Sequence, residues 1–403
     1  MSVPKLVVIA DDLTGAADTA ARCVQAGLSA EIWLESSLEL TREMCTAEVV
    51  SLSTDSRFLS PEEANGRVTQ TLAALSAWSG VVWYKKIDST LRGNLGAEVD
   101  AMLAMLPETV AVVCPSFPAQ GRGLQEGTLI YTGAPPRHLA TLLRQQSKLS
   151  VSEIGLDVVH QGPDALAAAM DALRNQGERV LVVDGMTDGD LNTIVTAAQG
   201  VGKCLLCGSA GLVAPLASRL AARQRPRVES DAMIPPGPIL ALVGSGSDMA
   251  HHQIAQVSKS NAMRVRTLDD GWYGVDLVGA QSYPVGDWLI HLEKPVSATA
   301  LEGSVARAEA ARLADIAYAA VERLQPSVLF VVGGDTAYYA LRRLGIQRLI
   351  VTEELLPGIA LTFGTDKWGT QRAVVLKPGN FGDEQTLVTL QQAIRQRQIV
   401  RAH

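Results

Sequence analysis

A short apolar run, residues 6–10, stops abruptly on Asp11-Asp12, and the same punctuation recurs along most of the chain. Each time a brief apolar segment is followed by a polar or glycine-rich turn and then by a longer stretch of 3.6-residue periodicity. In the front half the pattern predicts strands over 6–10, 30–34, 49–53, 81–86, 110–115, 179–184 and 204–207. Helices are predicted over 14–26, 61–78, 95–106, 163–175 and 188–200, with a long Gly/Pro/Gln-rich loop over 116–136. A polar, proline-rich stretch over 222–238 interrupts the alternation. It then restarts, with strands over 239–243, 264–268, 288–291, 328–332, 347–351 and 373–376 and helices over 249–259, 304–324 and 336–344. Strand–helix alternation at this spacing predicts an α/β fold of two domains, each a mostly parallel sheet flanked by helices. The expected limits are an N-terminal domain over 1–225, a linker over 226–238 and a C-terminal domain over 239–403.

Composition narrows the function classes. With 47% hydrophobic and 19% charged residues in 403, the chain has ample material for large cores and is not disordered. A net charge of −7 argues against a basic face for nucleic acid or an anionic membrane. No apolar run approaches the ~18 residues of a membrane span, and the first apolar segment runs into Asp11-Asp12 without a signal-peptide cleavage pattern. Five cysteines, odd in number and sparse, fit a reducing cytoplasm.

In open parallel sheets, ligands bind beyond the carboxyl ends of the strands. Four clusters of the front half fall there. Asp11 and Asp12 follow the first strand, where one carboxylate can accept a proton from a substrate hydroxyl, help hold Mg²⁺ or merely cap a helix. Arg57 follows the third strand and is a candidate clamp for a carboxylate or phosphate. Only nine lysines occur in the chain, yet Lys85 and Lys86 are adjacent inside an apolar strand. Because side chains alternate across a strand, one of the two must enter the interior or the strand-end cleft and needs a carboxylate or an anionic ligand there. Asp88, Ser89, Thr90, Arg92 and Asn94 follow, with Gly93 allowing close backbone approach, a set suited to a small acid carrying hydroxyls. The loop ending in Gln120-Gly121-Arg122 either walls the same cleft or simply connects.

The back half presents three small-residue turns after strands: Gly244-Ser245-Gly246-Ser247, Gly333-Gly334-Asp335-Thr336 and Lys377-Pro378-Gly379-Asn380-Phe381-Gly382. Each resembles half of a phosphate cradle, in which backbone N–H groups face an anion at a helix N-terminus. Neither G-x-G-x-x-G nor G-x-x-x-x-G-K-[ST] occurs, so the nucleotide site they suggest is neither Rossmann nor P-loop. Cys204 and Cys207 read as packed core thiols, the six histidines lack zinc spacing, and the basic run over 219–227 reads as a solvated hinge.

The stretches ADDLTGA at 10–16, KKIDSTLRGN at 85–94, GSGS at 244–247, GGDT at 333–336 and KPGNFG at 377–382 together resemble the four-carbon acid sugar kinase family, in the same order from end to end. The resemblance implies an N-terminal substrate domain facing a C-terminal nucleotide domain across a cleft that holds the active site. It implies ATP-dependent phosphorylation of the terminal hydroxyl of a four-carbon sugar acid, with Mg²⁺ accompanying ATP. The acid is expected to be D-threonate, the alternatives being 3-oxo-tetronate and D-erythronate. Substrate is expected at Asp11, Asp12, Arg57, Lys85, Lys86, Asp88, Ser89 and Arg92, and ATP at Ser245, Ser247, Gly333, Gly334, Asp335, Thr336, Gly379 and Asn380. Arg57, Lys86 or Arg92 would clamp the substrate carboxylate, and Asp12, or alternatively Asp88, would orient or deprotonate the hydroxyl. The metal ligands and the oligomeric state are not readable. A nicotinamide-dependent sugar-acid dehydrogenase should show the full G-x-G-x-x-G, and a ligand-binding regulatory protein would not need the second glycine-rich domain.

Overall fold

Asp12, Ser60, Thr187, Ser209 and Ser247 each accept a hydrogen bond from the first turn of a following helix, so side-chain caps fix where several of the helices begin. The computed structural model describes residues 4–34, 45–132, 135–221, 234–268, 286–293 and 303–400. It divides into two compact units, Met1–Arg227 and Val228–His403. Most of the expected linker, 226–233, lies outside the described residues.

In the first unit the chain runs β1 (Leu6–Ala10), α1 (Leu13–Gln25), β2 (Ala30–Trp33), β3 (Val49–Ser53), α2 (Pro61–Ala74), β4 (Val82–Lys86), α3 (Leu95–Met105) and β5 (Val110–Cys114). Three short strands follow, β6 (Gly123–Gln125), β7 (Thr128–Ile130) and β8 (Arg137–His138), then α4 (Leu139–Gln146), β9 (Val151–Ile154) and α5 (Leu156–Val159). The unit ends with α6 (Pro163–Asn175), β10 (Val180–Val183), α7 (Asp188–Gly200), β11 (Cys204–Gly208) and α8 (Ala210–Leu220). Its main sheet has the order β2-β3-β1-β4-β11-β5-β10-β9, and every pairing in it is parallel. One face packs Val7, Ile9, Leu52 and Val113 against Val68 and Leu72 of α2, Val99 and Met102 of α3 and Leu143 of α4. Burying such side chains supplies the main stabilisation, about 1.5–3 kcal/mol for each fully buried Val or Leu.

The second unit runs β12 (Ile239–Val243), α9 (Asp248–Ser260), β13 (Arg264–Leu268), β14 (Trp288–Leu292), α10 (Gly303–Leu324), β15 (Val328–Val332), α11 (Gly334–Arg343), β16 (Arg348–Leu356), β17 (Ile359–Thr365), β18 (Gln371–Lys377) and α12 (Thr386–Val400). Its order is β13-β14-β12-β15-β18-β17-β16, parallel from β13 to β18, with β17 antiparallel to both its neighbours.

Each unit opens with the same winding. The first strand lies inside its sheet, the chain goes out on one side and back, and then crosses to the other side: β2-β3-β1-β4 and β13-β14-β12-β15. The crossing leaves a crevice at the carboxyl end of β1 and of β12, the place where such sheets bind ligands.

The α/β reading and its two-domain layout hold, with corrections of detail. The expected loop over 116–136 contains β6 and β7, which with β8 form an antiparallel meander too short to show a period. Helices α4, α5 and α12 and strands β9 and β17 have no counterpart in the expected pattern.

Candidate functional site

At the end of β1, Asp12 is the N-cap of α1 and accepts from Gly15 N at 2.8 Å and from Thr14 Oγ1 at 2.7 Å. The capping role and the functional reading are therefore not alternatives, because the same carboxylate also faces Arg57. Arg57 donates four hydrogen bonds: Nε and Nη2 to Asp11 at 2.7 and 2.9 Å, Nη1 and Nη2 to Asp12 at 2.7 and 2.8 Å. Asp55, at φ 48°, turns the chain so that the backbone of Ser56 and Arg57 donates to Asp11 O. Gly93, at φ 89°, lies over this pair; a Cβ there would stand 3.3 Å from Arg57 Cγ and 3.4 Å from Asp11 Oδ2.

The adjacent lysines part as strand alternation requires. Lys85 shares a sheet face with its partner Ile9, is fully buried, and sets Nζ 2.6 Å from Glu98 Oε2 on α3. Glu98 also accepts from Ser56 Oγ at 2.6 Å, which props the turn carrying Arg57. Lys85 is therefore a structural ion pair, which corrects its expected place among the substrate-binding residues: its ammonium is taken up in the interior. Lys86 lies on the α1 side. A Cβ on Gly15 would stand 3.0 Å from Lys86 Nζ and 2.6 Å from Asp12 Oδ1, so glycine is required where this ammonium meets the N-cap.

Asp88 follows β4. Arg92 grips it through Nε at 2.7 Å and Nη2 at 3.0 Å, Thr90 donates to it, and Arg57 Nη2 stands 3.8 Å away. Ser89 accepts from Arg122 Nη1. Asp11, Asp12, Arg57, Lys86, Asp88, Ser89 and Arg92 thus come together at the carboxyl ends of β1, β3 and β4. Arg122 joins them, buried at 7% exposure with Tyr131 beneath its guanidinium. The sequence singled it out only as a wall or connector, because its approach to Ser89 depends on the meander.

Burial works against charge on Asp12, but the Arg57 guanidinium, the Lys86 ammonium and the Thr14 hydroxyl outweigh it and hold the carboxyl below its ordinary range. Asp88 is likewise buried and is held well below that range by Arg92 and Arg57. Both are ionised at neutral pH, suited to accepting hydrogen bonds and weak as proton acceptors. Arg57 is buried too, and the three carboxylates around it raise it well above its usual value.

In the second unit the three small-residue turns meet. Val243, Val332 and Lys377 are register partners across β12, β15 and β18, so these strands end at one level. Gly333 N donates to Lys377 O at 3.0 Å and Gly244 N to Val332 O at 3.3 Å. Ser247 caps α9 and donates to Gly379 O at 2.9 Å, while Ser245 Oγ lies 3.1 Å from Ser247 Oγ. A Cβ on Gly379 would fall 1.9 Å from Ser245 Oγ, and one on Gly244 would fall 2.1 Å from Thr336 Oγ1. Gly333, at φ 109°, is the N-cap of α11, so Gly334, Asp335 and Thr336 form its first turn. Asn380 is exposed on the third turn. Glycine is thus forced where the turns touch, and the N-termini of α9 and α11 open at the same strand ends, the arrangement that receives a phosphorylated ligand. Among the described residues no group of three His, Cys, Asp or Glu could hold a metal ion, and no helix is long and apolar enough to cross a membrane.

Residues 6–216 match the family model of a sugar-binding N-terminal domain, and residues 289–387 that of a nucleotide-binding C-terminal domain. A D-threonate kinase of Cupriavidus necator is 31% identical, over 94% of this chain and 96% of its own. A D-erythronate kinase of Heliobacterium modesticaldum is 30% identical, over 87% and 88%. A 3-oxo-tetronate kinase of Pectobacterium atrosepticum is 28% identical, over 94% and 97%. Among solved structures, a Salmonella typhimurium protein described as a putative tRNA synthase superposes with a TM-score of 0.75 over 96% of this chain and 99% of that one; at 24% identity this is a likeness of fold. The chain belongs to the four-carbon acid sugar kinase family and is a phosphotransferase with an alcohol group as acceptor.

Proposed function

We propose that the protein transfers the γ-phosphoryl group of ATP to the C4 hydroxyl of D-threonate, with D-erythronate and 3-oxo-tetronate as the alternative acceptors. The observation that carries this reading is the pairing of a cation-bound carboxylate cluster at one switch point with a glycine-lined cradle at the other. In this reading the domain over 1–225 holds the acid and the domain over 239–403, which follows a linker over 226–238, holds the nucleotide. The setting is the cytoplasm.

Each residue's role follows from its surroundings. Arg57, with four donors engaged by Asp11 and Asp12, positions those carboxylates and does not clamp substrate. Lys86, Arg92 and Ser89 then hold the substrate carboxylate and hydroxyls. Asp12 accepts a hydrogen bond from the attacking hydroxyl and aligns it, with Asp88 in reserve. In a loose phosphoryl-transfer transition state little proton removal is needed early, so an ionised Asp of low basicity suffices. Backbone N–H groups of the turns bearing Ser245, Ser247, Gly333–Thr336, Gly379 and Asn380 face the phosphates. Mg²⁺ bound with ATP would supply divalent charge to the phosphates, and Asp248 and Asp335, in the first turns of α9 and α11, are the carboxylates that would hold it.

Coupled ADP release measured with D-threonate, D-erythronate and 3-oxo-tetronate in parallel tests the reading. D-Threonate is expected to give the highest kcat/KM, and a higher value for either of the others reassigns the substrate. Few contacts separate these acids, so discrimination of about 10–200-fold is expected.

A further inference from the structure

We propose that Lys377, at the carboxyl end of β18, is a positioning residue for the nucleotide: it fixes the Pro378–Gly379 turn and sets a positive charge beneath the phosphates. This deepens the nucleotide reading above and rests on it.

Lys377 is 1% exposed. Its Nζ donates to Pro378 O at 3.0 Å and to Gly379 O at 3.4 Å. Gly379 O also accepts from Ser247 Oγ, the α9 cap, which Ser245 Oγ approaches. Ammonium and helix cap therefore converge on one carbonyl, in the turn whose Gly379 presses against Ser245. The same segment is held from α9 by Gln253 Nε2, which donates to Phe381 O and Asp383 O.

Among the described residues, the two other cations no more than 1% exposed face carboxylates: Lys85 faces Glu98 at 2.6 Å, and Arg372 faces Asp366 at 2.7 Å. Among the described residues Lys377 has carbonyl oxygens as its partners instead, and burial pushes its ammonium down to about 7. The charged and titratable groups on the elements around it are otherwise placed. Asp383 Oδ1 accepts from Gln385 N and Thr386 Oγ1, and Glu384 lies against His252 and Gln256. Asp248 is exposed in the first turn of α9, where His251 follows, and Asp335 stands in the first turn of α11. A buried ammonium without a carboxylate favours an anion arriving from outside. The glycine-lined turn above it is where phosphates would arrive, and bound phosphate would in turn hold Lys377 protonated.

The test is calorimetric titration of wild type, Lys377→Met and Lys377→Arg with ATP, ADP and adenosine, with thermal unfolding followed alongside. Loss of the charge is expected to weaken ATP by about tenfold or more, ADP less and adenosine not at all, and Lys377→Arg is expected to retain most of the ATP affinity. Unchanged ATP affinity in Lys377→Met, or equal weakening of all three ligands, overturns the proposal. Should Lys377→Met not fold, wild type decides: near pH 8 it is expected to take up protons on binding ATP and none on binding adenosine, and equal uptake for both overturns it. Wild type that binds no ATP would instead sink the nucleotide reading.

Discussion

Asp12 is held by Arg57, Lys86, Thr14 and Gly15 N together, so its position, more than its basicity, is what the fold has built. Asp12→Asn keeps the size and the cap but loses the charge; turnover is expected to fall by about 10²-fold or more in an ADP-release assay. Near-normal turnover would remove Asp12 from the mechanism. Arg57 lowers the ionisation range of Asp12, so Arg57→Lys, with fewer donors, should let it rise. The sign follows directly: a carboxylate of depressed range stays active as pH falls until that range is reached, so the acid limb of the variant's pH–rate profile should move to higher pH. An unmoved limb would show that Arg57 does not tune Asp12. At this scale the sequence was legible in residue type and less so in role. Lys85 and Lys86 could be separated in principle, since alternation sends them to opposite faces. Which face is interior depends on Glu98, thirteen positions on in α3. Arg57 read as a clamp because its engagement by both Asp11 and Asp12 exists only after β1 and β3 pair.

The element scale holds the turns of the cradle and, in the first unit, the ion pair that props the turn carrying Arg57. In Gly379→Ala the new methyl has no room beside Ser245, so the cradle must open. KM for ATP is expected to rise by about tenfold with KM for the sugar acid unchanged, as measured by initial rates with each substrate varied in turn. A rise in both would make the cradle a general prop. Lys85→Met leaves Glu98 buried without its cation, a change expected to cost about 3–5 kcal/mol in urea unfolding. A Lys85→Met, Glu98→Leu double variant should recover much of that loss. If the single variant is as stable as wild type, the pair does not prop the turn. Strands β1, β12 and β15 were readable because each is a short, fully buried apolar run. The meander was not, because strands of two or three residues show no period and its register is set by contacts such as Leu124 with Gly185. Residues 208–211 read as a strand-to-helix turn, but helix α8 beyond it had no readable bounds because its sequence is apolar nearly all round and contains Pro215.

For the whole molecule, the informative regularity is that both units wind alike. Asp11 and Asp12 in one and Gly244 to Ser247 in the other follow the strand at which the winding crosses over. Strand–helix alternation alone predicts two such sheets and where their ligands bind, but not which ligand each takes. That comes from the residues at the crossing, carboxylates with guanidinium groups in one unit and glycines with hydroxyls in the other. The direct measurement is ³¹P and ¹H NMR of the product formed from ATP and D-threonate. The account predicts ADP together with a phosphomonoester coupled to the C4 protons. Inorganic phosphate alone, or a phosphoryl group on any other oxygen, would contradict it.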